Sequence, residues 1–333
     1  MTAVFDGHND ALTADDHGLL VAGKPGGHFD LPRMRAGGIR GGIFSVFVAS
    51  DGGDHSRPEP VEHLVAAAEA GAVAGRLLAL ERGGALQVAR SAGDLDAAFG
   101  LAGQGPPVAV LHLEGAEPID PGLEALELWY AAGLRSLGPV WSRSNAFGHG
   151  VPFLSPSSPD TGPGLTEAGG ALVRRCAELG ILVDVSHLNE AGFWDLACLD
   201  LGPIVASHSG VHALSAASRN LTDAQLDAIG ASGGLVGIVF ACSFLRPDFA
   251  DDPDTPLSLI ASHARYVADR IGVSHVALGS DFDGTTIPAP LGDAAGTPRL
   301  LEVLRDVGRF DERELSLIAW ENWRRVLGAW WRG

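Results

Sequence analysis

Two rhythms of hydrophobic and polar residues alternate along this chain. Short, nearly continuous apolar runs bounded by Gly, Pro or polar residues read as strands buried on both faces, and longer stretches with helical spacing separate them. The runs predict strands at Ala3–His8, Ile39–Ala49, Pro107–Glu114, Leu134–Trp141, Ile181–His187, Pro203–Gly210, Gly234–Phe240 and His275–Ser280. Between them, helices are predicted over Pro60–Leu80, Leu123–Ala132, Thr166–Leu179, Leu188–Leu199, Thr222–Ile229 and Pro256–Ile271, with Pro298–Val307 and Asp311–Trp323 finishing the chain. Local signals agree with these bounds. Gly133 and Gly180 stand where left-handed caps are wanted, and Thr166, Thr222 and Asp223 stand where N-caps are wanted.

Eight strands separated by helices predict an α/β fold, a closed parallel (β/α)8 TIM-like barrel. The alternative, an open doubly wound sheet, lacks its mark, because no Gly-x-Gly-x-x-Gly follows the first strand. No repeat or linker divides residues 1–333, so one barrel domain is expected. Gly148–Gly164, with Pro152, Pro156, Pro159 and Pro163, reads as a long surface loop over one barrel face, and Asp51–Pro60 as a similar loop.

Composition narrows the partners. With 46% hydrophobic residues and a mean hydropathy of +0.16, the 333 residues can bury a large core. Lys+Arg 23 against Asp+Glu 41 gives a net charge of −18, which makes nucleic acid and anionic membrane poor partners. Cys176, Cys198 and Cys242 lie far apart in apolar contexts and read as buried free thiols. No charged-then-apolar segment precedes Phe5, and no run reaches the roughly 18 apolar residues a membrane span needs. A cytoplasmic protein is expected.

The unusual polar residues fall at strand ends. His8 and Asp10 follow the first strand, Glu114 ends the third, His187 the fifth, His208 the sixth, and Asp281 the eighth. A barrel gathers those carboxyl ends on one rim, where active sites are built. Three imidazoles and three carboxylates suit two borderline divalent ions such as zinc, bridged by one carboxylate. Ions roughly 3.5–4 Å apart can deprotonate a shared water and polarise a carbonyl, leaving a spare carboxylate to carry protons. Bland readings compete. Glu114 is a potential helix cap with Glu117 as its rival, His112 an interior residue one layer deeper, and Asp281 and Asp283 turn formers before Gly284. His149 reads as exposed, and His17, His28, His55, His63, His212, His263 and His275 as surface or packing residues. Co-location of the six decides for a ligand, since a core rarely buries so many ionisable groups without one.

Asp6-Gly-His-Asn-Asp10, Glu114-Gly, Ser186-His187, Ser207-His208-Ser209, Ser218-Arg219-Asn220 and Gly279-Ser-Asp-Phe-Asp-Gly284 together resemble the membrane (renal) dipeptidase family of the amidohydrolase superfamily. The resemblance extends to His28-Phe-Asp-Leu-Pro32 and Glu321-Asn-Trp-Arg-Arg-Val326. It implies a barrel of the metal-dependent hydrolase type with two zinc ions per chain and hydrolysis of dipeptides, often with tolerance of a D-residue at the carboxyl end. It places His8 and Asp10 on one zinc, Glu114 as the bridge, and His187 and His208 on the other. Arg219 becomes the reader of the substrate carboxylate with Asn220 beside it, and Asp281 the general acid/base. Mammalian relatives carry a substrate-contacting histidine where this chain has Trp141. The expected partner is a small dipeptide, with a homodimer as the candidate assembly. Two alternatives stand beside this reading: the same site acting on another small amide or a lactone, and a barrel that binds a ligand without turnover.

Overall fold

The computed structural model describes residues 2–13, 18–50, 54–100 and 105–331. Eight parallel strands form its centre: Val4–Asn9 (β1), Ile39–Phe47 (β2), Val108–Glu114 (β3), Leu134–Gly138 (β4), Leu182–Val183 (β5), Val205–Ser209 (β6), Leu235–Ile238 (β7) and Val276–Leu278 (β8). Strands enclosed on both faces have no solvent side to carry polar residues, so they read as apolar runs. β1 and β3 are buried at every position.

The ladder runs continuously from β1 to β5 and again from β6 to β8. Two parallel bridges, Asp184 with Val205 and Asn9 with Phe282, join the sheets at both seams and give the expected barrel. Each seam uses the same device. Asp6 on β1 accepts the backbone N–H (2.9 Å) and hydroxyl (2.8 Å) of Ser280. Asp184 accepts the backbone N–H of Ser207 at 2.9 Å, that of Ser186 at 3.1 Å, and both hydroxyls. A buried carboxylate thus satisfies N–H groups that the interrupted ladder would leave unpaired.

Observed strands are shorter than the apolar runs. β4 stops at Gly138 rather than Trp141, and β5 holds two residues. The helices start where the cap residues predict. Thr166 and Thr222 accept from the N–H groups of Gly169 and Gln225, and Gly133 and Gly180 take left-handed conformations. The pattern misses the two-residue strand Gln87–Val88 and the helices Leu31–Gly37 and Ala92–Phe99, which are too short to show a period. The last helix runs on to Trp330 after a wide turn at Leu317–Glu321.

Several expectations change. Cys198 is exposed rather than buried, since it caps the end of helix Glu190–Ala197. His149 is half-buried, because bridges from Gly148 to Leu165 and from Gly150 to Leu188 tie its loop down, and Ser144 Oγ lies 2.9 Å from its Nδ1. Helix His63–Arg82 is long and apolar enough to pass for a membrane span by composition, contrary to the reading of the runs. Ala66, Ala70, Ala74 and Leu77 pack it against the barrel instead. His17 and residues 51–53 lie outside the described residues.

Where helix Asn322–Trp330 packs on β1 and β8, the Trp323 indole is fully buried and donates to the Leu278 carbonyl at 3.0 Å. A Cβ on Gly7 would come within 2.3 Å of that ring and 2.6 Å of the Leu278 oxygen, so strand β1 admits only glycine there. Gly7→Ala is expected to lower the unfolding free energy by about 1–3 kcal/mol through overpacking. Urea unfolding followed by tryptophan fluorescence measures this, and a loss below about 0.5 kcal/mol would show that the ring can yield.

Candidate metal and substrate site

Glu114 stands at the end of β3 with three imidazoles around it. Its carboxylate lies 2.9 Å from His187 Nε2, 3.6 Å from His208 Nε2 and 3.4 Å from His8 Nε2. Ser45 on β2 donates its hydroxyl to the Oε2 atom at 2.8 Å. Two rings are fixed from behind. Ser142 Oγ sits 2.7 Å from His187 Nδ1, and Ser207 Oγ sits 2.8 Å from His208 Nδ1. Such partners set ring orientation and leave the Nε2 atoms to face inward.

The seam between β8 and β1 brings in the other carboxylates. The Asp281 N–H donates to the His8 carbonyl at 3.0 Å, and the Asp10 N–H donates to the Phe282 carbonyl at 2.8 Å. His8, Asp10 and Asp281 therefore offer atoms within 4.8 Å of one another, as do His8, Glu114 and His208. Asp281 and Asp283 both adopt left-handed backbone, φ 61° and 69°, as turn formers do. Asp283 spends its carboxylate on the His28 N–H (2.6 Å) and Lys24 (3.1 Å).

Electrostatics follow from burial and crowding. Burial opposes a charge on His8, but the Glu114 charge and hydrogen bond, with Asp10 and Asp281 beyond, push it up to about 10. Burial and the Arg219 charge lower His187 to about 4, and burial and the His8 charge hold His208 well below the usual range. Burial also raises Glu114, yet the His8 charge and bonds from His187 and His8 prevail and hold it ionised. Burial and the neighbouring Glu114 raise Asp10 well above the carboxylate range, and burial raises Asp281.

This donor set fits divalent metal. Nδ1 of His8 and Oδ1 of Asp10 are buried without hydrogen-bond partners. His187 and His208 point their Nε2 atoms at each other across 3.0 Å, although burial keeps both rings neutral. Neutral imidazoles converging on a shared buried carboxylate are ligands that a divalent cation can take.

The cluster forms the floor of a cavity of about 1160 Å³. Trp141 lines it, with ring contacts to Phe47 (5.1 Å) and His187 (5.7 Å). Arg219 is buried in its wall, donating to the carbonyls of Ser186 and His208, and burial lowers it to about 10. Asn220 does not line the cavity. Its amide donates to the carbonyls of Ser215 (2.9 Å) and Phe244 (2.8 Å), so it shapes the loop instead. Glu117, the rival of Glu114, is paired with buried Arg143 at 2.7 Å, whose guanidinium reaches the Val48 carbonyl and lies 5.3 Å from the Trp141 ring. His112 holds Ser136 at 2.9 Å and meets His8 edge-on at 5.5 Å, one layer below. His55 is one residue the sequence pattern misses: it lines the cavity, edge-on to Trp141 at 5.4 Å and to Phe153 at 5.2 Å. It sits in a loop without periodicity, and nothing in its neighbours marks it.

A parallel α/β barrel with a His/Asp/Glu cluster on its carboxyl rim defines a metal-dependent hydrolase. The sequence model of membrane dipeptidase (Peptidase family M19) matches residues 1–330, and the chain belongs to that family. It is 51% identical over 223 residues to an uncharacterised protein of the pqqA 5′ region in Klebsiella pneumoniae, covering 67% of this chain and 82% of the relative. Among solved structures it is similar to a metallo peptidase from Rhodobacter sphaeroides liganded with a phosphinate mimic of the dipeptide L-Ala-D-Ala, at TM-score 0.93 and 42% identity over 99% of both chains. It is also similar to dipeptidase AC, a family M19 metallo peptidase, at TM-score 0.93 and 44% identity over 100% of both.

Because the metal-free site keeps His8 protonated below about pH 10, metal must displace that proton. Zinc added to chelator-stripped protein is expected to release protons at pH 7, from His8 first and from Asp10 in part, and to bind more tightly as pH rises. Calorimetric titration in buffers of different ionisation heat measures this, and binding without proton release would contradict the His8–Glu114 charge pair.

Proposed function

We propose that the chain hydrolyses free dipeptides with two zinc ions, His8 and Asp10 holding one, His187 and His208 the other, and Glu114 bridging them. The observation that carries this reading is the convergence of three Nε2 atoms on one carboxylate, with Asp10 and Asp281 beside them. Imidazole and carboxylate donors suit zinc. When bound, the two ions supply an activated water and polarise the scissile carbonyl.

The protein's own groups do the rest. Glu114, held ionised and oriented by Ser45, keeps the two halves of the centre in register. Asp281 carries a proton from the nucleophile to the leaving amine. Burial raises its pKa, the direction that favours a group that must both take and give a proton. Arg219 holds the substrate carboxylate in a two-pronged pair and so measures two residues from the free end to the scissile bond. Trp141 and the surrounding aromatic rings keep water from the reacting centre. The Rhodobacter sphaeroides relative, bound to a mimic of L-Ala-D-Ala, supports acceptance of a D-residue at the carboxyl end.

A panel of L,L- and L,D-dipeptides, assayed with and without added zinc, tests the activity. Zinc-dependent cleavage of free dipeptides is expected, and cleavage of none would refute the reading. Asp281→Asn keeps the shape and removes the base, so kcat should fall on the order of 10²–10⁴-fold while metal content holds. Metal lost along with activity would make Asp281 chiefly a ligand. Arg219→Ala should cost roughly 2–5 kcal/mol in kcat/KM toward free dipeptides and little toward amide-capped ones, as for a truncated buried charge pair. Equal losses on both would make Arg219 a support of the fold.

A further inference from the structure

One wall of the cavity is apolar and lies beside Arg219. Phe153, Phe244 and Phe249 all line the cavity, with ring centroids 5.1 Å apart for Phe153–Phe244 and 6.2 Å for Phe244–Phe249. They belong to a small cluster with Ala217, Val239 and Ala241, separate from the main barrel core. The Arg219 guanidinium carbon lies 5.4 Å from the centre of the Phe244 ring.

Phe249 is held there at a cost. Its φ is +57°, a left-handed conformation unusual for a bulky side chain. The turn that imposes it is over-determined. The Phe249 N–H donates to the Arg246 carbonyl at 3.1 Å, Arg246 grips Asp248 with two bonds of 2.8 and 2.6 Å, and Asp248 accepts the Ala250 N–H at 3.2 Å. Ser215 Oγ, from the loop that carries Arg219, donates to the same Arg246 carbonyl at 2.7 Å. Strain kept by surrounding bonds concentrates at ligand sites. Here it presents an aromatic ring, half-buried, to the cavity.

We propose that Phe153, Phe244 and Phe249 form the pocket for the side chain of the substrate's C-terminal residue, and that Phe249 selects large apolar side chains there. This rests on Arg219 holding the substrate carboxylate. That carboxylate and the side chain share one Cα, which puts Cβ about 2.5 Å from the carboxylate carbon. A carboxylate gripped by Arg219 therefore brings the C-terminal side chain against Phe244. An apolar pocket discriminates by size, about 10–200-fold for a methylene-scale difference.

The test is kcat/KM for dipeptides sharing one N-terminal residue and ending in Gly, Ala, Leu or Phe, the chiral residues in both L and D forms. The proteins are zinc-loaded wild type, Phe249→Gly and Phe249→Leu. Wild type should prefer Leu- and Phe-ended substrates over Gly-ended ones by about tenfold or more. Phe249→Gly should lose most of that preference through KM, with a smaller loss on Gly-ended than on Leu- and Phe-ended substrates, and relief of the left-handed strain should offset only part of the lost ring packing in its denaturation midpoint. Phe249→Leu, which keeps an apolar side chain, should retain part of the preference. Equal losses on Gly- and Leu-ended substrates, or a wild type indifferent to the C-terminal side chain, overturn the pocket while leaving the dipeptidase reading intact. No cleavage of any dipeptide overturns both.

Discussion

A single carboxylate between buried imidazoles constrains the rest of this structure. Glu114 is almost fully enclosed, and an enclosed negative charge must be met by positive charge or donors. In the metal-free chain His8 meets it with a proton, His187 with a short contact and Ser45 with a hydroxyl. Metal would meet it more completely, because His187 and His208 are kept neutral and aim their Nε2 atoms at the carboxylate. The serines behind those two rings belong to the same constraint, since they set which nitrogen faces Glu114.

The barrel's seams tie this site to the fold. Asp6 with Ser280 and Asp184 with Ser207 close the ring of strands, and each lies within two residues of a site histidine. His8 follows Asp6 by two positions, and His208 follows Ser207 by one. Strand pairing at the seams and placement of the imidazoles are therefore one event. At the first seam the Asp281 N–H bonds the His8 carbonyl directly, so the proton-carrying candidate is registered against the metal-binding candidate by backbone geometry. Loop 148–164 covers the carboxyl ends of the strands and is tied there by the Val151 N–H on the His187 carbonyl and the Phe153 N–H on the His55 carbonyl.

How much of this was legible in the sequence depended on periodicity and position. Buried parallel strands announce themselves as apolar runs, and a barrel places whatever follows each run on one rim, so His8, Asp10, Glu114, His187, His208 and Asp281 could be gathered without coordinates. Strand bounds were less legible, because an apolar run continues through Pro139–Trp141 after the ladder has stopped at Gly138. Asn220 misleads for a different reason: it neighbours Arg219 in sequence, yet consecutive residues point different ways, and its amide is claimed by two carbonyls. His55, Phe153 and Phe249 come from irregular loops, where no repeat predicts which side chain faces inward. The Glu117–Arg143 pair, spaced 26 residues apart, needed the fold to bring its partners together.

The account turns on Glu114 serving both halves of the centre, and metal counting on one variant tests that most directly. Glu114→Gln keeps the size and hydrogen-bonding reach of the side chain and removes its charge. Purified without chelators, wild type should hold about two ions per chain. Elemental analysis of Glu114→Gln should show metal content falling below one ion per chain, because a bridge serves both positions. Two tightly held ions and full activity in the variant would contradict the account and point to another carboxylate as the bridge.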